Sequence, residues 1–128
     1  MFEWPGPKFG KELSAEYDNC DVLVLPSFSE NFGGVVIDAL AHGKPVLASN
    51  LTPWKVLEDA RCGWWVGNDP DSLAKALGTA ARAPLDLMGA NGRRLVSEHY
   101  TWSAVARKAI AAYQTVVFQT IRRKILAK

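Results

Sequence analysis

The chain has 128 residues, is 48% hydrophobic with five Trp, and carries a net charge of +2, which is material for one core-bearing domain at most. Two cysteines, Cys20 and Cys62, give neither a disulfide framework nor metal-ligand spacing, and no stretch approaches the roughly 20 apolar residues that span a bilayer. The opening MFEWPGPKFG lacks the charged lead and apolar run of a signal peptide, so a cytoplasmic location and no nucleic-acid partner are expected.

Met1 to Gly10 mixes glycines and prolines with aromatics and reads as an extended piece entering a turn. Lys11 to Asn19 fits one to two helical turns with Leu13 and Tyr17 on one face. Asp21 to Pro26 is a continuous apolar run closed by proline, as expected of a strand buried on both faces. Gly34 to His42 predicts a helix stopped by a left-handed Gly43, and Val46 to Ser49 a second strand. After the Thr52-Pro53-Trp54 loop come a short helix over Lys55 to Ala60 and a third strand, Trp64 to Val66. Asp69 is placed as an N-cap, with Pro70 at the first helical position, for a helix through about Arg82. Pro84 separates that helix from one over Leu85 to His99, and Thr101 can cap a last helix at about 102–127. Strands alternating with helices predict an α/β domain with a parallel sheet.

In an open parallel sheet, ligands sit beyond the carboxyl ends of the strands, so Ser27 to Gly34 should line the crevice. Gly33 and Gly34 hold no side chain between their amides and a ligand, and the first amides of a helix lack intrahelical partners. Glu30 precedes them in the turn, and Asp38 follows Gly34 by one helical turn. Helix amides suit phosphate, carboxylates suit sugar hydroxyls, and the two together suit an elongated nucleotide sugar. An exposed loop glutamate and a solvated helix aspartate are the plain alternative.

The strings GPKFGKEL, CDVLVLPSFSENFGGVVIDALAHGKPVLAS, TPWKVLEDARCGWWV, NDPDSLAKAL and EHYTWSAVA run in order over Phe2 to Tyr113. Together they resemble the C-terminal part of a retaining GT-B glycosyltransferase of family 4 (group 1). The resemblance implies a partial Rossmann-like parallel sheet flanked by helices over residues 1–128. It also implies transfer of a sugar from a nucleoside diphosphate sugar to an acceptor hydroxyl, in glycan or surface-polysaccharide assembly, with no cofactor and no strong metal requirement. The family signature is Glu, seven residues, Glu. Glu30 matches the first position, which contacts the transferred sugar and is the catalytic candidate. Asp38 stands at the second, ribose-binding position, with the charge kept and one methylene fewer. Asn31, Phe32, Gly33, Gly34 and Val35 match the loop whose backbone meets sugar and diphosphate, Phe32 also being suited to plug the core. Ser27, and Thr52 and Trp54 of the TPW loop, are further candidate contacts. The family's acceptor-binding N-terminal domain and its diphosphate-binding Arg and Lys have no counterpart here. The expectation is the later part of a donor domain, truncated or split, with an open sheet edge awaiting a complementary N-terminal domain or chain.

The rival reading is a non-catalytic nucleotide-binding module or subunit that needs a partner chain. His42, one turn after Asp38, is expected to pair with Asp38 or with the helix dipole, and His99 to be structural. Trp64, Trp65 and Trp102 are expected to pack. Residues 93–128 hold eight basic side chains and one acidic, Glu98, whereas residues 1–92 hold seven basic and twelve acidic. That basic end suits either the family's final helix, returning toward the N-terminal domain, or peripheral contact with the inner face of a membrane.

Overall fold

The computed structural model describes residues 3–126, with side chains through residue 119. The chain runs α1 (Gly10–Asn19), β1 (Leu23–Leu25), α2 (Gly34–Ala41), β2 (Val46–Ser49), α3 (Val56–Asp59), β3 (Gly63–Val66), α4 (Pro70–Ala80), α5 (Leu85–His99) and α6 (Trp102–Leu126). The three strands form one parallel sheet in the order β1-β2-β3. Val24 pairs with Leu47 and Leu47 with Trp64 across it. Each strand is followed by at least one helix, and this alternation is the Rossmann-like arrangement expected of such a sequence.

The core gathers around the middle strand. All four residues of β2 are buried, together with Val36, Ala39 and Leu40 of α2, Leu57 of α3 and Cys62. Local signals set the element ends. Asp69 accepts a hydrogen bond from the Ser72 amide at 2.9 Å and Pro70 opens α4, while Gly43 adopts φ +72 after α2. On the other flank, Gly89 and Gly92 of α5 lie against the end of α2. A Cβ at Gly89 would run into the Gly43 carbonyl oxygen, and one at Gly92 would meet Leu40 Cδ2 at 2.8 Å.

Two expectations need correction. The β1 strand is not buried on both faces, because Val24 is 38% exposed. It is an outer strand of the sheet, so its apolar run has a neighbour on the β2 side alone among the described residues. Trp102 is 90% exposed instead of packed, since it begins α6 and has no earlier turn of that helix beneath it.

The chain divides into two compact units, one ending at Val96 and one beginning at Ser97. The second comprises the last turn of α5 and the whole of α6. Thr101 caps it as expected, its Oγ1 accepting from the Ala104 amide at 3.2 Å. Residue 127 of the expected helix, Lys128 and the side chains of residues 120–126 lie outside the described part.

Candidate functional site

Strand β1 delivers the chain to the carboxyl edge of the sheet at Leu25, and the next eight residues form the loop into α2. Within it Ser27 Oγ donates to Glu30 Oε1 at 2.9 Å, which holds a half-buried carboxylate in a fixed orientation. Asn31 and Val35 are exposed on either side. Gly33 is the N-cap of α2 and sits in the left-handed region at φ +73, with no side chain capping the helix. A Cβ built on Gly33 would lie 3.8 Å from Glu30 Cγ, so the stem of Glu30 runs beside the helix start. A carboxylate therefore stands next to first-turn amides that no side chain occupies, and Gly34 leaves open space above them.

The loop is held from behind by two tryptophans. Trp54 Nε1 donates to the Phe32 carbonyl at 2.7 Å, and the Trp54 ring lies 5.6 Å from the Phe32 ring at 43°. Trp54 is only 1% exposed. Trp65 of β3 donates in turn to the Thr52 carbonyl at 3.0 Å, and Thr52 Oγ1 donates to the Ser49 carbonyl at 2.6 Å. Thr52 and Trp54 thus point inward and act on the site as supports. Phe32 does not plug the core. It is 51% exposed, because Trp54 fills the interior position beneath the loop. Trp65, expected only to pack, also braces the TPW loop through this hydrogen bond, a long-range contact that no local signal in the sequence announces.

Asp38 is exposed one turn into α2. It lines a separate open cavity of about 250 Å³ with Gly10, Leu13, Ser14, Tyr17, Ala41 and His42. The Tyr17 hydroxyl is pushed above its ordinary pKa, first by burial and next by the nearby Asp38 charge. His42 does not pair with Asp38. Its Nδ1 meets Asp18 Oδ1 at 2.7 Å, and its ring stacks on Tyr17 at 5.2 Å. The side chain reaches α1 because the C-terminal ends of the two helices meet there, where Lys44 Nζ also donates to the Asp18 carbonyl at 2.9 Å, and the Asp18 carboxylate is a stronger acceptor than the partial charge of a helix end. His99 lies beside Glu98, 3.8 Å from its carboxylate, and its carbonyl accepts from Lys108 Nζ at 3.5 Å.

The structure therefore brings Ser27, Glu30, Phe32, Gly33 and Gly34 together at the start of α2, and puts Asp38 one turn on, facing α1. A larger open groove of about 660 Å³ at Arg61, Met88 and Arg94 lies near the opposite, amino end of β3. It shares no residue with this constellation.

Comparison with known proteins bears on the same residues. A family model described as group 1 glycosyl transferases matches residues 2–82. The chain is 33% identical over 112 residues to MMP alpha-(1->4)-mannosyltransferase of Mycolicibacterium hassiacum, a match covering 84% of this chain and 27% of that protein. It is 35% identical over 124 residues to D-inositol 3-phosphate glycosyltransferase of Streptomyces scabiei, covering 93% and 28%. Among solved structures, sucrose-phosphate synthase from Thermosynechococcus elongatus superposes with a TM-score of 0.70 at 31% identity, over 84% of this chain and 28% of that one. Anabaena HepE in complex with UDP superposes with a TM-score of 0.68, over 78% and 29%; at 20% identity it speaks for the fold alone. The chain thus spans little more than a quarter of the length of the relatives it matches.

Proposed function

The chain belongs to the group 1 glycosyl transferases, and from that premise we propose that its carboxyl-edge site binds the nucleoside diphosphate sugar donor. The observation that carries this reading is the Ser27-braced Glu30 lying beside the uncapped start of α2. Glu30 is the acceptor for a hydroxyl of the transferred sugar. The amides of Gly33 to Val35 receive the diphosphate, where their partial positive charge stabilises it as it departs. In the reaction the bond from the anomeric carbon to the distal phosphate oxygen breaks, the acceptor hydroxyl oxygen bonds to that carbon, and the hydroxyl proton passes to the departing diphosphate. Asp38 takes the ribose hydroxyls, with the nucleoside entering the α1–α2 cavity that Asp38 lines. HepE was solved with UDP, and a nucleoside diphosphate is the ligand class this reading assigns here. The acceptor belongs to glycan or surface-polysaccharide assembly, and no metal or cofactor is assigned.

The test is calorimetric titration of the chain with UDP, GDP, ADP and their sugar conjugates. Saturable binding is expected, weakened roughly tenfold or more by Glu30→Ala and by Asp38→Ala, since each removes a charged hydrogen-bond acceptor. No binding by the folded parent chain would overturn the donor site. A second reading, a subunit that acts only with a complementary chain, is supported by β1, which pairs on one edge only among the described residues.

A further inference from the structure

Tyr17 of α1 brings to the Asp38 cavity a hydroxyl that the fold does not use. The residue is 8% exposed and lines the cavity with Ser14, Asp38 and His42. A buried tyrosine hydroxyl ordinarily has a hydrogen-bond partner. That of Tyr17 has none among the described residues, although its oxygen is not sealed off from the cavity. The ring is held from one side. His42 stacks on it at 5.2 Å with 20° between the planes, and the His42 ring is fixed in turn by Asp18 Oδ1 at 2.7 Å and by Ser14 Oγ at 3.5 Å. A ligand that meets the hydroxyl therefore need not order it first.

The chemistry of the pair is complementary to a sugar hydroxyl. Burial first and the Asp38 charge next push the Tyr17 pKa above its ordinary value, so at neutral pH the group is a donor beside an acceptor-only carboxylate. An alcohol offers one hydrogen to the carboxylate and a lone pair to the tyrosine. A free anion is a poor occupant, because the Asp38 carboxylate repels it.

We propose that the Tyr17 hydroxyl is a second ribose contact, which with Asp38 makes the site selective for ribonucleoside diphosphates over their deoxy forms. This rests on the reading of Asp38 as the ribose acceptor. One ribose hydroxyl gives its hydrogen to Asp38 and takes the Tyr17 hydrogen on its oxygen. An analogue lacking that hydroxyl leaves both protein groups unpaired, the condition under which a site rejects an analogue most strongly. Tyr17 thus sets specificity and takes no part in bond breaking, and His42 positions it.

The experiment is calorimetric titration of the 128-residue chain and of Tyr17→Phe with UDP, GDP and ADP, and with the 2′-deoxy and 3′-deoxy form of each. In the parent, removing the contacted hydroxyl weakens binding roughly tenfold or more. Tyr17→Phe keeps the ring and its stacking on His42, and weakens the ribonucleotide about three- to tenfold, the worth of one neutral hydrogen bond. The decisive quantity is the coupling between the two changes. The loss caused by one deoxy form shrinks by about threefold or more in Tyr17→Phe, while the loss caused by the other is unchanged. A purely structural Tyr17 would weaken all three forms alike and leave both losses as they were, which overturns the inference while the donor site stands. Deoxy forms that bind the parent as well as the ribonucleotide overturn it too. A folded parent that binds no nucleotide ends the donor reading and this inference with it.

Discussion

Trp54 donates its indole hydrogen to the Phe32 carbonyl across 2.7 Å, joining two loops whose residues lie 22 positions apart. The loop after β2 thereby fixes the loop after β1, and the Glu30 carboxylate depends on a residue that meets no solvent. Trp54→Phe removes the donor while keeping most of the ring. It is expected to lower unfolding free energy by about 1 kcal/mol, the net worth of one hydrogen bond. It should weaken donor binding as well. Urea denaturation and calorimetry on the same variant separate these effects. Unchanged stability would show that the indole hydrogen bond contributes nothing to holding the loop.

Gly33→Ala tests the entry to α2. The residue sits at φ +73, and an added Cβ would lie 3.1 Å from Trp54 Nε1. The left-handed conformation alone costs a residue with a side chain about 1–2 kcal/mol. The variant should melt at a lower temperature and lose donor affinity, because relief of the strain moves the very amides assigned to the diphosphate. Gly34→Ala, with open space around its Cβ, should leave stability nearly unchanged.

Helix α5 supplies a matched pair of opposite sign with a glycine on α4. Gly89→Ala would drive a methyl group into the Gly43 carbonyl oxygen, so α5 must move away from α2. A loss of about 1–3 kcal/mol is expected, as for other overpacked sites. Gly78→Ala meets nothing within 4 Å and lies within a helix, so a gain of about 0.5–1 kcal/mol is expected from helix propensity. Thermal unfolding of both variants checks the pair, and a stabilising Gly89→Ala would contradict the packing.

The N-cap of α4 gives a pH dependence with a definite sign. Asp69 is held below the ordinary aspartate value by the Ser72 hydroxyl first and the Ser72 amide next. A carboxylate with a depressed folded pKa contributes stability that is present above its unfolded value, about 3.9, and is lost as pH falls through the lower folded value. Asp69→Asn keeps a capping oxygen without the charge. It should therefore flatten the acid limb of the stability profile by lowering neutral stability toward the value the parent has in acid. An acid limb unchanged in the variant would assign the dependence to other carboxylates.

Much of this protein was determined by its sequence alone, wherever the controlling interaction is local. Strands and helices alternate as the apolar runs predict, Asp69 and Pro70 open α4, Gly43 ends α2, and the Glu30 loop leads into a glycine-started helix. Caps, turns and apolar periodicity act over a few residues, so the chain states them directly. Only the tertiary structure decided which of two aromatics, Phe32 or Trp54, fills the interior, since both are apolar enough to do so. It also decided that His42 reaches Asp18, 24 positions away, and not Asp38 one turn before it. It placed Asp38 in a cavity against α1. Each of those outcomes depends on how helices and loops distant in the chain come to lie beside one another. That placement is fixed by packing around β2, which no local pattern encodes.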